Sequence, residues 1–251
     1  MEHQEIRKIM HEERRSIDLD LFTENIKKNI NFSFTKYGDG EMICISKIGH
    51  PDNGGQNCDG HPYTEELGEM LKDSLLSNAR RARVFLGDWT GWNGDTLSEY
   101  RDELLGGIVP NYVLYEILLN HENEPNESLL KLHEAIKYEN RTKIFVGPER
   151  LNGVKQMLNC DTHIKVPLHN TFSEYNRILD ECLKLVRPYN IFLFSCGMPS
   201  KVIIDELLKK EENLTCLDFG SGFDNILLDE ETRQGQVDTT TMKKFYKKLL
   251  N

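Results

Sequence analysis

The sequence predicts an α/β fold, with a Rossmann-like, mostly parallel sheet of about six strands and helices on both faces. Short runs of branched and aromatic residues alternate with longer segments of helical periodicity, an order typical of βαβ units. Turns containing glycine or polar residues follow each apolar run. Because parallel strands end at one edge of a sheet, these turns should lie side by side, where open α/β sheets bind ligands.

The predicted strands are short and rich in branched or aromatic residues. The first begins with Asn31-Phe32-Ser33-Phe34-Thr35, whose alternation of polar and apolar residues is typical of a strand with one apolar side. The six strands cover residues 31–37, 83–87, 143–147, 163–166, 190–195 and 214–219. Helical periodicity predicts helices over residues 64–77, 109–120, 126–138, 149–158, 171–186 and 199–210.

Length and composition exclude several classes of protein. The 251 residues suffice for an α/β domain with a sizeable core, and no run of about 18 apolar residues indicates a membrane span. Acidic residues outnumber basic ones, 41 to 31, which argues against nucleic acid as a partner. The charged start lacks the apolar core of a signal peptide, and the six cysteines form no Cys-x-x-Cys pair. We therefore expect a reduced, cytoplasmic protein.

Three regions are predicted along the chain. Residues 1–30 form an N-terminal helical extension, residues 31–230 the central domain, and residues 231–251 a basic amphipathic helix. That last helix carries Met242-Lys243-Lys244-Phe245-Tyr246-Lys247-Lys248-Leu249-Leu250. Its apolar side either docks on the domain or makes a peripheral contact with an anionic membrane surface.

The most informative motif is Lys36-Tyr37-Gly38-Asp39-Gly40-Glu41, at the end of the first predicted strand. In an extended segment residues i and i+2 point the same way, so Asp39 and Glu41 are predicted to face one point. Two carboxylates aimed at one point suit Mg²⁺ or Mn²⁺. Gly38 and Gly40 would leave room for a ligand beside the backbone. The alternative is a turn with solvated acidic side chains.

Five short motifs in a fixed order resemble the GT-D-type glycosyltransferases, a family first described as a bacterial domain of unknown function. The motifs are Tyr37-Gly38-Asp39-Gly40-Glu41, Phe145-Val146-Gly147-Pro148-Glu149-Arg150, Val166-Pro167 followed by Asn170, Ser195-x-Gly197-x-Pro199-x-Lys201-Val202, and Leu217-Asp218-x-Gly220. The resemblance extends over about residues 30–225. It implies that residues 31–230 are a nucleotide-sugar-binding catalytic domain.

The resemblance also implies an activity. The protein would be a metal-dependent hexosyltransferase that moves a sugar such as glucose from a nucleotide-diphosphate sugar, commonly UDP-glucose, to an acceptor hydroxyl, with inversion. Asp39 and Glu41 would hold Mn²⁺ or Mg²⁺. A glycan, a glycoprotein or a lipid-linked molecule would be the acceptor. Gly197-Met198-Pro199 and Gly220-Ser221 depart from the Gly-Pro-Thr and Gly-His of the family, which leaves the general base open.

Several residues after the predicted strands are candidates for contacts with the donor. Backbone N–H groups of the helices after Gly147 and Gly197 could hold phosphate oxygens. Lys201 and Arg150, in the first turns of those helices, would pair with the diphosphate, unless they are solvated charges. Further candidate nucleotide-binding residues are Gly38, Asn170, Ser195 and Asp218. Asn170 would bind ribose or uracil, or else cap the helix that follows.

Residues in the turn after the second predicted strand are candidates for contacts with the acceptor. Asp88 is the first candidate for the general base that deprotonates the acceptor hydroxyl, and Asp224 and Glu174 are alternatives. Trp89 and Trp92 would present flat faces to a sugar ring, or else belong to the core.

Two other functions are compatible with parts of the sequence. The run Leu217-Asp218-Phe219-Gly220-Ser221-Gly222-Phe223-Asp224 is similar to the first motif of S-adenosylmethionine methyltransferases, but it follows the last predicted strand instead of the first. A non-catalytic nucleotide-sugar-binding module is the third alternative. The irregular segment 50–62 offers His50, Asp52, Cys58, Asp59 and His61, a spacing that matches no common zinc module, and a loop beside the site is the simpler interpretation.

Overall fold

The computed structural model describes residues 2–47, 55–57, 60–88, 94–119, 125–228 and 239–250. Its strands are β1 Ser33–Lys36, β2 Val84–Asp88, β3 Asn111–Leu114, β4 Lys143–Pro148, β5 Thr162–Val166, β6 Ile191–Phe194 and β7 Thr215–Asp218. All seven are parallel and form one sheet in the order β3-β2-β1-β7-β6-β4-β5. The predicted α/β class is confirmed, with seven strands instead of about six.

Helices connect the strands and cover both faces of the sheet. The longer ones are α1 Glu2–Lys27, α2 Asp39–Ser46, α3 Glu65–Ala79, α4 Gly94–Leu105, α5 Glu127–Tyr138, α7 Tyr175–Lys184 and α8 Pro199–Lys210. Shorter ones are α6 Gly153–Met157, α9 Asp224–Leu227, α10 Thr239–Phe245 and α11 Lys247–Leu250, and 3₁₀ turns cover Glu149–Leu151 and Thr171–Glu174. No helix in these described ranges is both long and apolar enough to cross a membrane.

The predicted helix over residues 109–120 is wrong. Its first part is strand β3, which pairs in parallel with β2, so that Tyr112 lies opposite Leu86 and Val113 opposite Gly87. A turn follows. The aromatic and branched residues of the segment suit an edge strand, and the hydrogen bonds gained by pairing with β2 outweigh the helical periodicity seen in the sequence.

Two hydrophobic cores lie on opposite faces of the sheet. The first core cluster includes Leu71 of α3, Ile203 of α8 and Phe194 of β6, and the second includes Phe22 of α1, Leu132 of α5 and Leu193 of β6. Strand β6 contributes to both because successive side chains of a strand point to opposite faces. Its four apolar residues are all buried, as expected for a central strand of a parallel sheet.

The helices at both ends of the chain pack on the second core cluster. Leu19, Phe22 and Ile26 of α1 are completely buried there, beside α5. At the other end, Met242 and Tyr246 are completely buried in the same cluster. The apolar side of the C-terminal segment therefore docks on the domain, one of the two alternatives drawn from the sequence.

The described cysteines are structural. Cys44, Cys160, Cys182, Cys196 and Cys216 are free and buried, and Cys58 lies outside the described residues. Burial raises the pKa of the Cys44 thiol to about 11 and that of Cys160 to about 12. Thiols with such pKa values are poor nucleophiles at neutral pH.

His133 of α5 is a buried imidazole in the second core cluster. It is completely buried, neither ring nitrogen has a hydrogen-bond partner, and its ring lies 5.6 Å from those of Phe219 and Tyr246. Burial lowers the pKa of His133 from 6.5 to about 3, because the charged form would lose its hydration. The side chain is therefore neutral across the physiological range.

We expect His133 to make the fold sensitive to acid. The unfolded chain binds a proton near pH 6.5 and the folded chain only near pH 3, so stability falls as the pH drops through this window. The slope from this residue is about 1.4 kcal/mol per pH unit. His133→Leu should remove that slope without loss of stability at pH 7, because it removes two buried unpaired nitrogens.

Urea denaturation between pH 4 and 7 checks this expectation, with the exposed His169→Leu as control. An unchanged pH dependence in His133→Leu would show that the imidazole is not the group responsible.

Candidate functional site

A cleft of about 740 Å³ opens at the carboxyl edge of the sheet. Strand β1 lies between β2 and β7. Helix α2 follows β1 and packs in the first core cluster through Met42, whereas α9 follows β7 and packs in the second through Ile226. Adjacent strands whose helices leave on opposite faces open a crevice between them. The cleft occupies this position, as the sequence predicts.

The two acids of the predicted metal motif do not face one point. Gly38 caps α2, so Asp39 is the first residue of a helix and not part of an extended segment. Asp39 is exposed at the cleft, whereas Glu41 is buried and accepts a hydrogen bond from the backbone N–H of Gly38 at 2.9 Å. The prediction of a shared ligand face is wrong, because residues two apart on a helix point about 200° apart.

Lys201 occupies the space beside Glu41. Its Nζ lies 2.8 Å from Oε1 of Glu41 and 2.9 Å from Oδ2 of Asp218, and it donates to the carbonyl oxygen of Gly197 at 3.3 Å. The Asp218 contact is an ion pair without hydrogen-bond geometry. An ammonium has three N–H donors, and here three protein oxygens surround it. Lys201 lines the cleft, but its ammonium is engaged by the protein, so the predicted contact with phosphate stays a prediction that would require one of these oxygens to be displaced.

Glu41 and Lys201 hold each other in the charged state. Burial would raise the pKa of Glu41, but Lys201 and the backbone N–H of Gly38 bring it below its usual range. Burial acts to lower the pKa of Lys201, and the carboxylates of Asp218 and Glu41 raise it instead. The pair therefore stabilises the fold between the ordinary pKa values of 4.5 and 10.5, and its contribution is lost outside that window.

The described residues do not fit the two-carboxylate metal site drawn from the sequence. Both oxygens of Glu41 are engaged, one by Lys201 and the other by a backbone N–H. Asp39 and Glu41 both line the cleft, but of the two only the Asp39 side chain is exposed. Within the described ranges, three or more His, Cys, Asp or Glu side chains nowhere come together as a group able to hold a metal.

Three glycines surround the pair formed by Lys36 and Tyr115. A Cβ on Gly38 would lie 2.3 Å from the Tyr115 hydroxyl oxygen, one on Gly87 would lie 3.0 Å from Lys36 Cβ, and one on Gly220 would lie 2.8 Å from Lys36 Nζ. Gly38 therefore makes room for Tyr115, and not for a ligand as predicted. This pair was not among the predicted site residues. The signal available in the sequence is a lysine at the end of an otherwise uncharged strand.

Ser195 and Gly197 line the cleft as predicted. Gly197 has a φ of 67°, in the left-handed region that favours glycine, and its α-carbon lies so close to His61 that a Cβ would be 2.5 Å from Nε2. Ser195 is 7% exposed, and its Oγ is buried without a hydrogen-bond partner. Within the described part of the chain, this hydroxyl at the wall of the cleft therefore has unused hydrogen-bonding capacity.

The candidate acids differ in position. Asp88 lines the cleft, and its carboxylate lies 3.7 Å from the guanidinium groups of both Arg14 and Arg101. Asp224 also lines the cleft and pairs with Arg150 at 3.4 Å. Glu174 lies outside the cleft and pairs with Arg177. Asp88 and Asp224 remain candidates for the base, and Glu174 does not.

Three predicted nucleotide contacts lie elsewhere. Gly147 makes room for the Phe145 ring, whose nearest carbon would be 2.2 Å from an added Cβ. Asn170 does not line the cleft and caps no helix with its side chain, because its left-handed backbone, with a φ of 50°, forms the turn itself. Asp218 is completely buried behind Lys201. None of the three faces the cleft.

Some sequence predictions fall outside the described residues. These are the sugar platform of Trp89 and Trp92 and the polar side chains of His50, Asp52, Cys58 and Asp59. His61, from the same irregular segment, is described and lines the cleft, in line with a loop beside the site.

The fold itself is that of known structures. No protein-family model and no curated protein matches the chain. Two solved structures of the domain of unknown function 1792, one of them substituted with selenomethionine, match with TM-scores of 0.57 and 0.56. Each match covers 90% of this chain and 87% of the other, at 18% sequence identity. The second structure is described as having a distinct glycosyltransferase fold. This chain has that fold.

The glycosyltransferase fold confirms the fold expected from the motif resemblance. At 18% sequence identity, the similarity supports a shared architecture and no more. One architecture supports many activities. The chemistry must be argued from the cleft.

We expect Lys201→Met to destabilise the protein by about 3–5 kcal/mol, because it leaves the buried carboxylates of Glu41 and Asp218 without a cation. Urea denaturation at pH 7 measures the loss. Adding Glu41→Gln to this variant should restore part of the stability, since one buried charge disappears. A free energy of unfolding within about 1 kcal/mol of wild type in Lys201→Met would contradict the central role of this ammonium.

Proposed function

We propose that this protein is a glycosyltransferase that binds a nucleotide-diphosphate sugar in the cleft. The observation that carries the proposal is the combination of two features. The chain has the fold of a solved structure described as a glycosyltransferase fold, and a cleft of about 740 Å³ opens at the carboxyl edge of its sheet. Pockets for small molecules and cofactors measure roughly 300–1,000 Å³, so a donor of this class fits. The motif resemblance supports UDP-glucose as donor and transfer with inversion.

The donor diphosphate is proposed to lie at the turns after β6 and β7. Ser195 and Gly197 line the cleft there, and the Ser195 hydroxyl has no hydrogen-bond partner among the described residues. Arg150, 39% exposed and paired with Asp224, can turn towards a phosphate. The proposal assigns no step to a metal, because Glu41 is already paired with Lys201.

The acceptor hydroxyl is proposed to lie near the end of β2, where Asp88 serves as general base. The flanking guanidinium groups of Arg14 and Arg101 fix the direction of its carboxylate. The acceptor class is a glycan, a glycoprotein or a lipid-linked molecule. A peripheral contact with an anionic membrane would use the exposed Lys244, Lys247 and Lys248, since the apolar side of that segment is buried.

A donor screen tests the proposal. Release of the nucleoside diphosphate from UDP-, GDP-, ADP-, CDP- and dTDP-sugars is measured with Mn²⁺, with Mg²⁺ and with a chelator. We expect slow hydrolysis of a UDP-hexose, with water in place of the acceptor, and the three conditions measure the predicted metal dependence. Failure to bind or hydrolyse any of these donors would refute the proposal. Binding of S-adenosylmethionine instead would favour the methyltransferase alternative.

Asp88→Asn tests the proposed base. We expect donor hydrolysis to slow about 10²- to 10⁴-fold, because a general base contributes about that factor. The affinity for UDP, measured by calorimetry, should stay within about threefold of wild type, because Asp88 is assigned to the acceptor side. Glu174→Gln, outside the cleft, is the control. Equal rates in wild type and Asp88→Asn would exclude Asp88 as the base and leave Asp224 as the candidate.

A further inference from the structure

The floor of the cleft carries a second buried ammonium, that of Lys36. Lys36 ends strand β1 and is 6% exposed, yet it lines the cleft. Its Nζ donates to the carbonyl oxygen of Phe219 at 3.4 Å and lies 5.3 Å from the centre of the Tyr115 ring. The face of an aromatic ring attracts a cation, so the ring and the carbonyl fix the position of the ammonium.

The backbone around this pair is shaped to admit it. Gly38, Gly87 and Gly220 come from three separate segments, and a side chain on any of them would meet Lys36 or Tyr115 at 3.0 Å or less. Gly220 also has a φ of 55°, which other residues rarely adopt. Gly220 approaches the ammonium itself, whereas Gly38 approaches the Tyr115 hydroxyl and Gly87 approaches Lys36 Cβ, so the backbone of three segments leaves room for this pair.

Lys36 lies where a residue that binds a ligand is expected. It lies at the end of β1, and Gly220 follows the adjacent strand β7, so the ammonium stands at the crevice where ligands of open α/β sheets bind. A buried cation at this point is complementary to a diphosphate, and its attraction is strengthened by the low local dielectric.

We infer that Lys36 contacts the diphosphate of the donor and stabilises the leaving nucleoside diphosphate, an inference that rests on the proposed function. During transfer the bond between the anomeric carbon and the phosphate oxygen breaks, and its electron pair stays on that oxygen. The acceptor oxygen bonds to the anomeric carbon, and its proton passes to the base. The leaving group gains one negative charge, which the Lys36 ammonium offsets. Tyr115 is a positioning residue.

Lys36→Met tests the contact, because methionine keeps an unbranched side chain, one atom shorter, and removes the charge. Calorimetry with UDP and with uridine separates a phosphate contact from a general loss of structure. We expect the affinity for UDP to fall about ten- to a hundredfold, as for a charged hydrogen bond, and the affinity for uridine to change less than about twofold. Equal losses for the two ligands would mean a structural role only, and would overturn the inference.

A second pair of variants keeps Lys36 and therefore avoids the misfolding that loss of a buried charge could cause. Gly220→Ala and Gly107→Ala both place a side chain at a positive φ, 55° and 88°, but only the first meets Lys36, since nothing lies within 4 Å of a Cβ at Gly107. We expect Gly220→Ala to weaken UDP binding about tenfold or more and Gly107→Ala to leave it unchanged, at similar melting temperatures.

The outcomes separate this inference from the proposed function. If wild type binds UDP and both Lys36→Met and Gly220→Ala bind it equally well, the role of Lys36 is refuted and the proposed function stands. If wild type binds none of UDP, GDP, ADP, CDP and dTDP, the proposed function fails and the inference fails with it.

Discussion

The ammonium of Lys201 ties together the elements that form the cleft. It joins α8 to α2 through Glu41 and to β7 through Asp218, and these elements come from distant parts of the chain. Without this ammonium, the carboxylates of Glu41 and Asp218 would be buried charges without a cation, which is strongly destabilising. The start of α2, the turn at Gly197 and the end of β7 are therefore held in one arrangement, and the shape of the cleft depends on it.

Most of the fold was predictable because it follows from patterns along the chain. Six strands and the position of the cleft come from branched and aromatic runs followed by glycine turns. The seventh strand was missed because Asn111–Leu114 is short and lies in a segment of helical periodicity. Only its pairing with β2, a long-range interaction, decides between strand and helix.

The site was predictable in location but less so in detail. Ser195, Gly197, Asp39 and Asp88 line the cleft, as expected for residues that follow parallel strands. The roles of Glu41 and Lys201 could not be predicted from the sequence, because these residues are 160 positions apart and pair with each other instead of with a ligand. Gly38 shows the same limit, since a glycine that admits the Tyr115 ring looks in the sequence like one that admits a ligand.

The placement of α1 has a consequence for synthesis on the ribosome. Its buried residues Leu19, Phe22 and Ile26 belong to a cluster that also needs Leu132 of α5 and Tyr246 near the other end. Strand β1 likewise gains its neighbour β7 only after most of the chain has been translated. A helix with an apolar side thus emerges long before its partners, and nascent chains should need shielding by chaperones until β7 and the segment that contains Tyr246 have been released.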